Sequence, residues 1–299
     1  MSQEEPRRSR QLVALCNDDS DEYSDVGHLI SALSDLSKSG SNWAFRGQQH
    51  DWCLESPLRR YTPQASWYEA EKKVLSIFQR RAHLHTSIPE TGQTLEWLAL
   101  MRHHDAPTRL LDWTRSPYVA AFFAVADATL NDEPVIWAID AMALNCRAIE
   151  SLHKSHPDLY LEDGPVGQSP SRVRLGSPKF FDEIFMSPSS ECKLLIAPVE
   201  PFAMNERLAI QQGMFLCPTT LSRSFESVLT YMLEQCNAPL RPALRRLRIK
   251  QSLRIEVLRR LYEMNITYAT LFPGLDGFAK SLKHIAEFVS AGGYYPHDF

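Results

Sequence analysis

The side chains best suited to chemistry crowd into one short stretch, Thr108-Arg109-Leu110-Leu111-Asp112-Trp113-Thr114-Arg115-Ser116-Pro117. A carboxylate, two guanidiniums and three hydroxyls alternate there with large apolar residues. Ser116-Pro117 is a helix-start pair, a hydroxyl that caps free N–H groups and then a ring with its φ preset for the first turn. Tyr118 to Leu130 follows and opens Tyr-Val-Ala-Ala-Phe-Phe-Ala-Val-Ala, apolar on every face, so the helix belongs in the interior. A buried helix whose N-terminus opens on an arginine-bearing polar turn is a physical basis for an anion pocket. The same residues equally suit a capped core helix with polar neighbours at the surface.

Arg46, in Trp43-Ala44-Phe45-Arg46-Gly47-Gln48, also has two readings. Its guanidinium can fork onto a pyrophosphate or a carboxylate ligand. It can instead be tied to Asp112, because a buried arginine must be paired. Both hold if Asp112 orients Arg46 for a ligand. Arg109 lies in an apolar run and is either paired inside or turned to a cleft. Arg115 at the helix entrance opposes the dipole unless an anion is near. His103 and His104 are adjacent and cannot face one site together on a helix. His104, beside the Pro-Thr-Arg turn, is the better placed for hydrogen bonding or acid–base work, with a structural histidine as the alternative. His83 and His85 have no partners at ligand spacing, so no metal is expected. The chain has no Gly-x-Gly-x-x-Gly, no P-loop and no Gly-x-Ser-x-Gly elbow.

The elements that must position these groups fit a chain of 299 residues, 44% of them hydrophobic, which is ample for a buried core. A net charge of −4 gives no basic excess for duplex nucleic acid or an anionic membrane. No run approaches the length of a membrane span, and none behind the N-terminus is long enough for a signal peptide. The six cysteines form no Cys-x-x-Cys, and a cytoplasmic protein with reduced thiols is expected.

Residues 1 to about 24 read as a loose arm before one domain over 25–299. Apolar spacing predicts helices over Val26 to Leu36, Ala65 to His85, Thr94 to Asp105, Ser224 to Leu233 and a closing helix to about Val289. Strands are expected at Trp43–Gln48, Thr108–Asp112, Val135–Asp140, Leu194–Pro198 and Gln211–Pro218. Residues 145 to 190 accumulate Pro, Ser and Gly and read as a loop-rich insertion. Arg241 to Arg260 is strongly basic, either a solvated face or a phosphate-binding one. The fold class is α+β, a mixed sheet core with flanking helices.

Four blocks carry a resemblance. Trp43-Ala44-Phe45-Arg46-Gly47-Gln48 resembles the signature of the FRG domain family. His104-Asp105-Ala106-Pro107-Thr108-Arg109-Leu110-Leu111-Asp112-Trp113-Thr114 is similar to its second block, Asn205, Arg207, Gln212, Gly213 and Phe215 to its third, and Leu271-Phe272-Pro273-Gly274-Leu275-Asp276-Gly277 to its closing one. The resemblance covers roughly residues 26 to 285.

A weaker likeness is to ADP-ribosyltransferases of the arginine–serine–glutamate type. Phe45-Arg46-Gly47 is similar to their cofactor-holding strand, and Thr114-Arg115-Ser116 with its helix to their second element. Gln212-Gly213-Met214-Phe215-Leu216 stands where the catalytic glutamate strand falls, with Gln212 and Met214 in place of acids. That likeness implies an NAD-like nucleotide cleft. Arg46, Gly47, Arg109, Thr114, Ser116, Arg207 and Gln212 would bind the cofactor, and His104, Asp112 and Gln212 would act at the reacting centre. The reaction would be ADP-ribosyl transfer to a protein or nucleic-acid acceptor, or NAD glycohydrolysis. The alternative is a non-catalytic module for a protein or nucleic-acid partner.

Overall fold

A computed structural model describes residues 10–16, 22–38, 42–61, 67–152, 175–187, 193–235 and 243–292. Seven strands form one mixed sheet: β1 (Glu22–Tyr23), β2 (Trp43–Gln48), β3 (Leu111–Thr114), β4 (Val135–Asp140), β5 (Ile196–Val199), β6 (Gly213–Pro218) and β7 (Leu244–Ile249). Their order is β1-β7-β4-β2-β3-β6-β5. Every pairing is antiparallel except β1 with β7. With flanking helices this is the α+β class the sequence implies.

Successive side chains on a strand point to opposite faces. Ala44, Val135, Trp137, Ile139 and Leu244 therefore enter one core, and Trp43, Phe45, Ile136, Ala138 and Leu247 the other. Cover on both faces explains why β4 reads as an unbroken apolar run. The first core is closed by α1 (Arg10–Val13), α4 (Trp67–Ala82), α5 (Thr94–His103), α7 (Ala141–Leu152), α8 (Pro178–Phe181) and α10 (Phe225–Glu234), with α3 (Pro57–Tyr61) against α4. The second is closed by α2 (Val26–Lys38), α6 (Pro117–Val125), α11 (Arg254–Glu263), α12 (Tyr268–Leu271) and α13 (Leu275–Ser290). The short α9 (Glu206–Ile210) leads into β6.

Gly47 sets how closely α6 approaches the sheet. A Cβ there would stand 1.9 Å from the Ala120 carbonyl oxygen and 2.6 Å from the Ala124 nitrogen. Only a hydrogen fits, so the helix lies directly on β2. Ser116 caps α6 as its sequence implies, accepting from the Val119 N–H at 3.3 Å. At the other end, Arg254 donates to the Val125 carbonyl at 2.9 Å and the Ala126 carbonyl at 3.0 Å.

Some expectations change. The helix α7 continues from β4 to Leu152, through the start of the expected insertion, because Leu144, Ala148, Ile149 and Leu152 bury at helical spacing. Residues 178–186, also inside it, form α8 and a π-helical turn with Phe181, Ile184 and Phe185 in the core. The rest of that segment, 153–174 and 188–190, and most of the N-terminal arm lie outside the described residues. In the basic run, Arg246 pairs with Asp51 and Arg254 caps α6, so those two charges are used internally. No helix among the described residues is long and apolar enough to cross a membrane.

Candidate functional site

The sheet is weakest between β2 and β3. The strands β2 and β4 pair along all of 43–48, and β3 pairs with β6 along all of 111–114. Between β2 and β3 only Phe45 and Thr114 pair. Beyond that point the Arg46 guanidinium reaches across, donating to the Asp112 backbone carbonyl at 2.7 Å. The side chain satisfies an acceptor that the neighbouring strand leaves free.

A cavity of about 310 Å³ lies here, lined from β2, β3, β6, α3, α5, α6, α9 and the chain just after β2. Four arginines face it, Arg46, Arg60, Arg102 and Arg207, and Asp112 is the one carboxylate among the described lining residues. Phe45, Trp52, Trp113, Phe123 and Phe215 supply aromatic wall.

The Asp112 carboxylate is held by Arg102, with Nη2 to Oδ2 at 2.8 Å and Nε to Oδ1 at 3.4 Å. Burial works against its charge, but Arg102, Arg46 and Arg207 together outweigh this and keep the carboxyl below its usual range. Arg102 also donates to the Ala106 carbonyl at 3.1 Å. Burial, and then the Arg60 charge, pull Arg46 down to about 10, so it remains a cation at pH 7. Burial lowers Arg60 and Arg207 as well. Arg207 stacks 4.4 Å over the Phe272 ring and donates to the His103 carbonyl at 2.9 Å. Thr114 Oγ1 donates to the Gln211 carbonyl at 2.6 Å and accepts the Ser116 N–H at 3.0 Å.

Three buried nitrogens of cavity-lining residues have no hydrogen-bond partner among the described residues: Arg46 Nε, His103 Nδ1 and Trp113 Nε1. Buried polar atoms are rarely left so. Burial, then His104 and Arg207, lower the His103 pKa, so the ring is neutral at pH 7. The arrangement offers positive charge and N–H groups to a ligand rich in acceptors.

The structure thus brings Arg46, Gly47, Asp112, Thr114 and Arg207 to one cavity and places the other named residues elsewhere. Arg109 is fully buried in the first core, its guanidinium on Glu71 (Nε to Oε2, 2.8 Å) and on the carbonyls of Phe185, Pro218 and Thr219. It holds α4 to the sheet and is not on the cavity lining. Gln212 turns at a positive φ of 48° and uses its backbone in the turn, where Arg115 N–H donates to its carbonyl; Gln211 lines the cavity instead. His104 is exposed beyond the end of α5, and His103 takes the lining position. Ser116 is occupied as a helix cap. Arg115 is neutralised by Glu200. Asp112 orients Arg46 through its carbonyl, since its carboxylate belongs to Arg102.

Arg60, Arg102, His103, Gln211 and Trp113 are lining residues that the sequence reading left out of the site. One signal was available. Ala99, Arg102 and His103 stand at i, i+3 and i+4 on one helix and so share a face.

No curated protein and no solved structure matches the chain. A family model described as FRG domain matches residues 41–133, from the start of β2 through α6 to the turn before β4. The two later blocks, 205–215 and 271–277, lie beyond the matched residues. The Phe-Arg-Gly strand and the Thr-Arg-Leu-Leu-Asp-Trp-Thr strand that meet at the weak seam are both inside the match: this is an FRG domain-containing protein.

Proposed function

We propose that the β2–β3 cavity binds a nucleotide-like anion of the NAD class, in a cleft resembling that of ADP-ribosyltransferases. The observation that carries this is four guanidiniums around one cavity with one carboxylate, itself already paired. Arg46 and its neighbours would hold phosphate, and the aromatic wall would take a base or ribose. In such a cleft the reaction would be attack at the ribose anomeric carbon, by water or by a macromolecular acceptor. Stabilising positive charge at that carbon calls for a free carboxylate. Asp112 is held by Arg102, Met214 lines the cavity, and Gln212 turns out of it. The residues present therefore suit binding better than turnover, which favours a nucleotide-binding module over a transferase. A cytoplasmic setting accords with this reading.

The test is a thermal-shift series on the pure chain with NAD, ADP-ribose and AMP, run beside an assay for nicotinamide release. Stabilisation by at least one nucleotide, lost in Arg46→Ala and without nicotinamide release, is expected. Stabilisation by none of them overturns the proposal.

A further inference from the structure

Resting on the nucleotide reading above, we infer that the occupant is a nucleoside 5′-monophosphate rather than a dinucleotide carrying a nicotinamide cation. The first ground is charge. Four guanidiniums against the one Asp112 carboxylate, with His103 neutral, leave +3 on the described lining. A nicotinamide ring is itself a cation, and like charges repel strongly in a partly desolvated site. The one lining carboxylate, which could offset that cation, is engaged by Arg102.

The second ground is hydrogen-bonding polarity. Trp113 and Arg46 both line the cavity, Trp113 is 3% exposed, and its Nε1–H, like Arg46 Nε–H, is buried without an acceptor among the described residues. These groups donate and cannot accept. A terminal phosphate supplies three strong acceptor oxygens and about −1.5 to −2 of charge at pH 7. Each phosphate of a dinucleotide bridge carries a single charge. The third ground is size. About 310 Å³ is near the small end for ligand cavities, and Trp52, Phe123 and Phe215 leave aromatic wall for one base.

Calorimetric titration of the full chain with AMP, GMP, CMP, UMP, NAD and inorganic phosphate tests this. The tightest monophosphate is expected to bind at least tenfold more tightly than NAD and than inorganic phosphate. NAD binding as tightly as the best monophosphate overturns this inference and leaves the nucleotide reading standing. Phosphate binding as tightly overturns the nucleoside part. If no nucleotide binds, NAD included, the broader reading falls too. Trp113→Phe removes the N–H together with the five-membered ring, and should weaken the monophosphate at least threefold with only a partial fall in melting temperature. Should that variant unfold, Arg60→Gln on the exposed rim decides. It should narrow the monophosphate-to-NAD ratio, and an unchanged ratio contradicts the charge argument.

Discussion

Arg109 and Arg46 come from neighbouring motifs and both sit deep in the protein, yet their surroundings differ in kind. Around Arg109 the protein answers every demand. Glu71 takes its backbone N–H at 3.0 Å and its Nε–H at 2.8 Å, and three backbone carbonyls take Nη1. Around Arg46 the charges are Arg60, the Asp112 carboxylate that Arg102 already holds, and Arg102 itself; one bond runs to a carbonyl, and Nε has no partner among the described residues. A buried cation satisfied by the protein is architecture, and one left partly unsatisfied beside a cavity is a candidate for binding. The motif alone does not separate them. The acceptors that decide it come from Glu71, Phe185, Pro218 and Thr219, all distant in sequence.

The contrast can be broken most sharply at the core pair. Arg109→Met strands Glu71 in apolar surroundings and should destabilise by about 3–5 kcal/mol, read by urea unfolding. A loss below about 1 kcal/mol would mean that the pair is not the anchor described. Next in size is Gly47→Ala. The new methyl meets helix backbone rather than a movable side chain, so a loss of about 1–3 kcal/mol is expected, with α6 displaced from β2.

The cavity arginines should behave oppositely. Arg60→Gln should change folding stability by no more than about 0.5 kcal/mol, because it removes a charge that opposes Arg46. Its effect should fall on ligand affinity. The smallest effect is on pH dependence. Asp112 has a folded pKa below its unfolded value. Its contribution is therefore complete above the unfolded carboxyl value of about 3.9 and is lost as pH falls through the folded value. Asp112→Asn should flatten that part of the acid limb, and an unaltered limb would show that Arg102 does not hold the carboxylate.

Much of this fold is readable from residue order. The alternation in Trp43–Gln48, the Ser116-Pro117 cap and the all-apolar α6 are local signals, and the structure follows them. Other features depend on contacts between remote segments. Gln211 and Gln212 differ by one residue, and which faces the cavity depends on the left-handed backbone at Gln212, held by the Arg115 N–H. His103 displaces His104 because α5 ends at His103 and its inner face carries Ala99 and Arg102. Arg60 joins the cavity through α3, which no periodic pattern ties to β2. The helix α7 was hidden because a Pro- and Ser-rich tract follows it and diluted its periodicity.

The most direct measurement is a crystal structure of the chain grown with a saturating 5′-nucleotide. The account predicts density between β2 and β3, with a phosphate oxygen about 2.7–3.2 Å from Arg46 Nε and the base against the aromatic wall. An empty cavity at saturation, or a nucleotide bound elsewhere while Arg46 Nε stays unpartnered, would contradict it.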